Sequence, residues 1–175
     1  MTQNPGQAQL AASLNNQVAA AHKTALIIVL TFAMSIVVYM GVGLLKLNLR
    51  GEKVQGQLPY AFYGAAAALA IGSILMRRAM LHRTKLEIVA VTRGVEGLIK
   101  HLLNSTIIAA AIAEVIGMLA LVVAFFGGDQ NDVIRFTVVG LAVSLYNYPR
   151  RSAWERAVYY FVATTPNTGA GELGL

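Results

Sequence analysis

The sequence predicts an all-α polytopic membrane protein with four transmembrane helices and both termini on the cytoplasmic side. Three observations lead there. The 175 residues are 57% hydrophobic and 13% charged, with a mean hydropathy of +0.60, which is too apolar and too short of charge for an ordinary soluble domain. The apolar residues gather into runs at 24–45, 59–76, 104–126 and 133–148, and crossing a hydrocarbon core of about 30 Å takes roughly 20 residues at about 1.5 Å each. The basic residues concentrate in every second connection, as in membrane proteins that keep Lys and Arg cytoplasmic.

Residues 1–22 are rich in Gln, Asn and Ala, with no basic residue before Lys23 and no convincing cleavage site, so a flexible or weakly helical tail is expected and not a signal peptide. The first span, from Thr24 to about Leu45, is apolar apart from Thr31, Ser35 and Tyr39 and can serve as its own insertion signal. Residues 46–57 carry Lys46, Arg50, Glu52 and Lys53 with Gly51 and Gly56, and Pro59 follows, which marks a short polar loop and a helix start. The second span, about 59–76, places Gly64, Ala68 and Gly72 four apart, forming a ridge of small residues that lets another backbone approach closely.

Residues 77–103 interleave Arg77, Arg78, Arg83, Lys85, Arg93 and Lys100 with Leu86, Val91, Val95, Leu98 and Leu102. The spacing of 91, 95, 98 and 102 predicts an amphipathic helix on the membrane surface, or cytosolic extensions of the two flanking helices. Anionic lipid suits the basic face, and another protein docking there is the alternative. In the third span, 104–126, Ser105, Ala109, Ala113 and Gly117 form a second small-residue ridge, expected to pack on the ridge of the second span. Residues 127–132 are a polar turn whose last residue, Asp132, can N-cap the fourth span, 133–148, where Arg135 can snorkel to the interface. Pro149, Arg150 and Arg151 end that span. Trp154, Tyr159, Tyr160 and Phe161, near Arg156, predict an interfacial aromatic and basic segment over 149–163, and 164–175 reads as a disordered tail.

Orientation follows from the basic residues. One side holds Lys23, Arg77, Arg78, Arg83, Lys85, Arg93, Lys100, Arg150, Arg151 and Arg156, and the other holds Lys46, Arg50, Lys53 and Arg135. That asymmetry places the termini and the middle segment in the cytoplasm, with the plasma (inner) membrane as the compartment.

Glu114 is the one acidic residue deep inside an expected span. A carboxylate at mid-depth costs on the order of 2.5–3.5 kcal/mol on insertion scales, so it should face a helix interface or a wet cavity. It lies beside the small-residue ridge. Two functions fit: a proton- or cation-binding carboxyl, or a carboxyl hydrogen-bonded to a hydroxyl such as Ser35, Ser73 or Ser144 that fixes packing in a structural or assembly subunit of a larger membrane complex.

The pair Ala113-Glu114, followed by Ala120-Leu121-Val122-Val123-Ala124, resembles the ion-carrying helix of the c subunit in F-type ATP synthase rotor rings. In that family a glutamate is followed six residues on by glycine and then Leu-Val-Val-Ala. The resemblance covers about a dozen residues and implies a proton or sodium site at Glu114, with Gly64, Ala68 and Gly72 as its small-residue neighbours. This chain has Ala120 where glycine is usual, lacks the short Arg-Gln-Pro loop, and has four expected spans instead of two. Its layout, including Pro149-Arg150-Arg151 after the last span, resembles small uncharacterised bacterial four-helix membrane proteins.

No other motif carries chemistry. His22, His82 and His101 are too far apart for a recognisable metal spacing and read as solvated surface residues, and no thiolate site exists because there are no cysteines. No P-loop, Rossmann loop, zinc-protease motif or nucleophile elbow is present, and Gly41 and Gly43 sit inside an apolar span as packing residues. The expectation is therefore no enzyme, no cofactor, no metal and no nucleic-acid partner. The bilayer is the main partner, with further copies or other membrane subunits left open.

Overall fold

The computed structural model describes residues 5–50 and 60–164. These form five helices: α1 (Pro5–Arg50), α2 (Tyr60–Met80), α3 (Arg83–Phe125), α4 (Gln130–Tyr146) and α5 (Arg151–Thr164). The expected polar loop 46–57 is helical as far as Arg50 and the expected disordered tail 164–175 begins with the last helical residue, Thr164; the rest of both lies outside the described residues. Three helices, α1, α2 and α3, are long and apolar enough to cross a membrane. α4, at 17 residues, is shorter than they are.

α3 is the centre of the fold and is the one helix touched by all four others. α1 has 46 residues, roughly 70 Å at about 1.5 Å per residue, more than twice what a bilayer core needs. The surplus is used. Near one end of the bundle Val18 and Ala25 of α1, Leu86, Leu98 and Leu102 of α3, and Trp154, Val158 and Phe161 of α5 bury one another in a core of their own. A second core, from Ala66, Ala113, Ile116, Ala120, Val123, Val133 and Phe136, fills the space between α2, α3 and α4, with Met40 and Leu44 of α1 against it.

Two expectations change here. The segment 1–22, expected to be flexible or weakly helical, is continuous helix from Pro5 onward, with Val18 packed into a hydrophobic core. The segment 149–163 is helical from Arg151 onward, and its Trp154 and Phe161 are buried, so those aromatics are core residues and not an interfacial belt; Tyr159 and Tyr160 do face outward.

α3 contains a corner. Gly94 has φ 64° and ψ −166°, a region open essentially only to glycine. The buried positions on either side of it are Leu86 and Ala90 before the corner and Leu98, Ile99 and Leu102 after it, while Val91 stays exposed. Gly97 is needed for the same reason, since a Cβ there would collide with the Cβ of Arg93. Arg78, Arg83, Lys85, Arg93, Lys100, Arg150 and Arg151 all face outward, and Arg77 is half-buried.

α3 ends at a glycine cap. Gly127 takes φ 91°, the amide of Gly128 donates to the carbonyl of Val123 at 2.9 Å, and that of Phe126 donates to Val122 at 3.0 Å, which satisfies carbonyls the helix would otherwise leave open. α4 starts three residues before the expected position. Its N-cap is Asp129, whose side chain accepts from the amide of Asp132 at 2.8 Å, while Asp132 accepts from the amide of Asp129 at 3.2 Å. Asp132 thus closes the capping box and is not the cap itself.

The largest departure concerns the small-residue ridges. Ser105, Ala109, Ala113 and Gly117 are buried, as a packing ridge should be. Gly64, Ala68 and Gly72 are exposed, and a Cβ added at Gly64 or Gly72 meets nothing within 4 Å. α2 reaches α3 and α4 by its other side, through Phe62, Ala66, Leu69 and Ser73. The α3 ridge is filled by α1 and α4. Gly117→Val is therefore expected to lower stability by about 1–3 kcal/mol, and Gly64→Val and Gly72→Val by less than about 0.5 kcal/mol; reversible unfolding in detergent micelles measures all three.

Candidate functional site

Glu114 lies beside a close contact between α1 and α3. Ile36 of α1 is fully buried and lies over Gly117 so closely that a Cβ at Gly117 would stand 2.5 Å from its Cγ1 and 2.8 Å from its Cγ2. On another side of the same α3 turn, α4 approaches with Gly140, where an added Cβ would lie 3.1 Å from the carbonyl oxygen of Ala113 and 3.1 Å from the backbone nitrogen of Gly117. The stretch from 113 to 117 is held between the Ile36 side chain of α1 and the backbone of α4 at Gly140. Glu114 sits in that stretch.

α1 and α3 run in the same direction, since Ile36 meets Gly117 and, seven residues on in each helix, Gly43 meets Ala124. Tyr39 follows Ile36 by three residues, and Glu114 precedes Gly117 by three. Side chains on a helix lean toward its N-terminus, so the long Tyr39 side chain reaches back down α1 toward Glu114. Its hydroxyl donates to Glu114 Oε1 at 3.0 Å.

Both residues are half-buried. Val115 and Met118 beside them are 47% and 48% exposed, so the carboxyl lies at the rim of the α1–α3 contact with one edge on the outer surface of the bundle. Among the described residues Glu114 makes no ion pair. No group of three or more His, Asp or Glu residues is gathered anywhere among them.

Of the three serines considered as partners for Glu114, Ser35 donates to the carbonyl of Thr31 at 3.2 Å and Ser73 accepts from Asn147 at 2.9 Å. The hydroxyl that reaches the carboxyl is Tyr39. It is legible in the sequence only as a polar interruption of the first span, because nothing in one chain's pattern says which helix lies beside which.

Two polar clasps missed by the sequence reading tie α2 to α4. At one end the Tyr63 hydroxyl donates to Asp132 and accepts from Arg135 at 3.4 Å, while its ring lies 5.0 Å from that of Phe136. At the other end buried Asn147 donates to Ser73 Oγ and to the carbonyl of Val143, both at 2.9 Å. Its side-chain oxygen accepts from Arg77 at 3.3 Å. The amide is satisfied, as a buried polar group must be. The Arg77 guanidinium also donates to the carbonyl of Tyr146, capping the open end of α4.

His22 and His101 are not simply solvated. His22 Nε2 donates to the carbonyl of Pro149 at 2.9 Å and meets Trp154 edge-on at 5.8 Å, and His101 Nε2 donates to the carbonyl of Met80 at 3.1 Å. Each fastens a turn to a long helix. His82 is exposed at the start of α3.

The class defined by these observations is an all-helical chain with three apolar helices of membrane-crossing length and one carboxyl in the packed middle of the third. No protein-family model, curated protein or solved structure matches the chain.

A double-mutant cycle of Tyr39→Phe and Glu114→Gln isolates the bond between them. A coupling energy of about 0.6 kcal/mol, and at most about 1.7 kcal/mol, is expected for a hydrogen bond between membrane helices, read from unfolding in micelles.

Proposed function

We propose that the chain is a four-span integral membrane protein of the plasma (inner) membrane, with both termini cytoplasmic, in which Glu114 binds and releases a proton. The observation that carries this reading is the Tyr39–Glu114 bond at 3.0 Å, formed at the rim of a helix contact and with no ion pair to the carboxylate among the described residues. Ionisable groups within membrane helices are rare and cluster at relays and ion paths. When Glu114 is ionised, the Tyr39 hydroxyl donates to it in place of water. When it is protonated, the neutral carboxyl is tolerated at the same spot without a counter-ion.

A proton suits the site better than a metal cation. Hard cations such as Ca²⁺ and Mg²⁺ need about six or more oxygens around them, and here one carboxylate and one phenol are offered. α4 fits as the fourth, shorter span because its N-terminal end carries Asp129, Asp132 and Arg135 and its other end is followed by Arg150 and Arg151. The basic asymmetry supports the orientation.

The alternative is a structural or assembly subunit. It is favoured by the fact that the Tyr39–Glu114 bond joins the same two helices as the Ile36–Gly117 contact, so the bond also fixes their register.

Reaction of Glu114 with a hydrophobic carbodiimide, followed in native membranes by mass spectrometry across pH, separates the two. Modification of Glu114 that persists to neutral pH and is insensitive to Na⁺ is expected for the proton site. Absence of modification at any pH means a sealed carboxyl and favours the structural subunit, and suppression by Na⁺ replaces the proton with that ion.

A further inference from the structure

A cleft of about 490 Å³ lies where α2, α4 and α5 come together beside α3, within the size range of small-molecule sites. Its walls are of two kinds. Leu81, Leu86, Leu102 and Trp154 make an apolar floor, and Leu145 at the rim is 75% exposed. Arg77 and Arg150 bring two guanidinium groups to the same space, and no carboxylate lines it.

Both arginines line the same cleft. Among the described residues neither makes an ion pair. Arg77 is anchored by the carbonyl of Tyr146 and by Asn147, which fixes its place but leaves its charge unbalanced. α5 begins at Arg151, next to Arg150, so the positive end of that helix adds to the field. Two cations on the walls of one cleft with an apolar floor call for a ligand with an anionic head and a hydrocarbon body.

The level of the cleft agrees. It lies at the ends of α2 and α4 from which Arg77, Arg78, Arg150 and Arg151 project, which is the bilayer surface if these helices cross the membrane; in this the inference rests on the membrane placement proposed above. We propose that the cleft binds an anionic phospholipid, with its phosphate between Arg77 and Arg150 and an acyl chain along Leu145 and the leucine floor.

The full chain, purified in a neutral detergent, is titrated with phosphatidylglycerol, phosphatidylcholine or inorganic phosphate, and bound lipid is read by native mass spectrometry. Phosphatidylglycerol is expected to bind in preference to phosphatidylcholine, and inorganic phosphate alone is expected to leave that binding undisturbed. Arg150→Gln, an exposed position, should weaken phosphatidylglycerol roughly five-fold, the worth of one basic residue at such a surface, and Arg78→Gln, which removes the same charge outside the cleft, should not. Equal weakening by both variants means diffuse attraction and overturns the site, as does equal binding of the two lipids. Competition by inorganic phosphate overturns the lipid as occupant in favour of a free anion. Alkaline washing of native membranes is done alongside: release of the chain overturns the membrane placement and the lipid site together, whereas retention with no effect of Arg150→Gln overturns the lipid site alone.

Discussion

The approach of Ile36 to Gly117 governs the molecule, because nothing larger than a hydrogen at position 117 lets α1 come as near to α3 as it does. That spacing puts Tyr39 within hydrogen-bonding reach of Glu114. It also leaves the opposite side of the same turn free for Gly140 of α4. Three helices meet at one level, and the only carboxyl in the middle of α3 is at that level. In a membrane, where apolar side chains gain little by leaving lipid for one another, such close packing and a few interhelical hydrogen bonds are the main sources of helix association.

Away from that level the fold is held differently at its two ends. The end at which α4 starts is closed by the capping box of Asp129 and Asp132 and by Tyr63 reaching across from α2. The opposite end is a separate apolar core in which α5 is wrapped by the long extensions of α1 and α3. His22, Asn147 and Arg77 lie between that core and the rest of the bundle and satisfy carbonyls at the turns. α3 enters this core on both sides of the corner at Gly94, through Leu86 and Ala90 before it and Leu98 and Leu102 after it.

Much of this was legible from the sequence. Length and hydropathy suffice for α1, α2 and α3, and the isolated position of Glu114 singles it out without any structure. The interval of four linking Ser105, Ala109, Ala113 and Gly117 also marks a buried face. What the pattern cannot encode is which neighbour fills a ridge. Gly64, Ala68 and Gly72 show the same interval yet face outward, because the choice of partner depends on how helices are arranged around α3 and not on spacing within one helix. The packing of α5 was hidden for a related reason: Trp154 and Phe161 near basic residues look alike whether they meet lipid headgroups or the surplus length of two other helices. Gly140 gave a faint signal, as a glycine within an apolar run, that only the contact with α3 makes meaningful.

The arrangement around Gly117 can be tested by cross-linking, since the chain has no cysteines of its own. Ile36→Cys paired with Gly117→Cys puts the two Cβ atoms 3.0 Å apart before any relaxation, so a shift of under about 1 Å between α1 and α3, with the branched Ile36 side chain gone, reaches the roughly 3.8 Å of a disulfide. Mild oxidation in membranes should give an intramolecular bond, seen as a shifted monomer band, while Ala68→Cys paired with Gly117→Cys should stay reduced. A cross-link from 68 to 117, or one from 36 to 117 found only between chains, would contradict the account by filling the α3 ridge with α2 or with another copy in place of the chain's own α1.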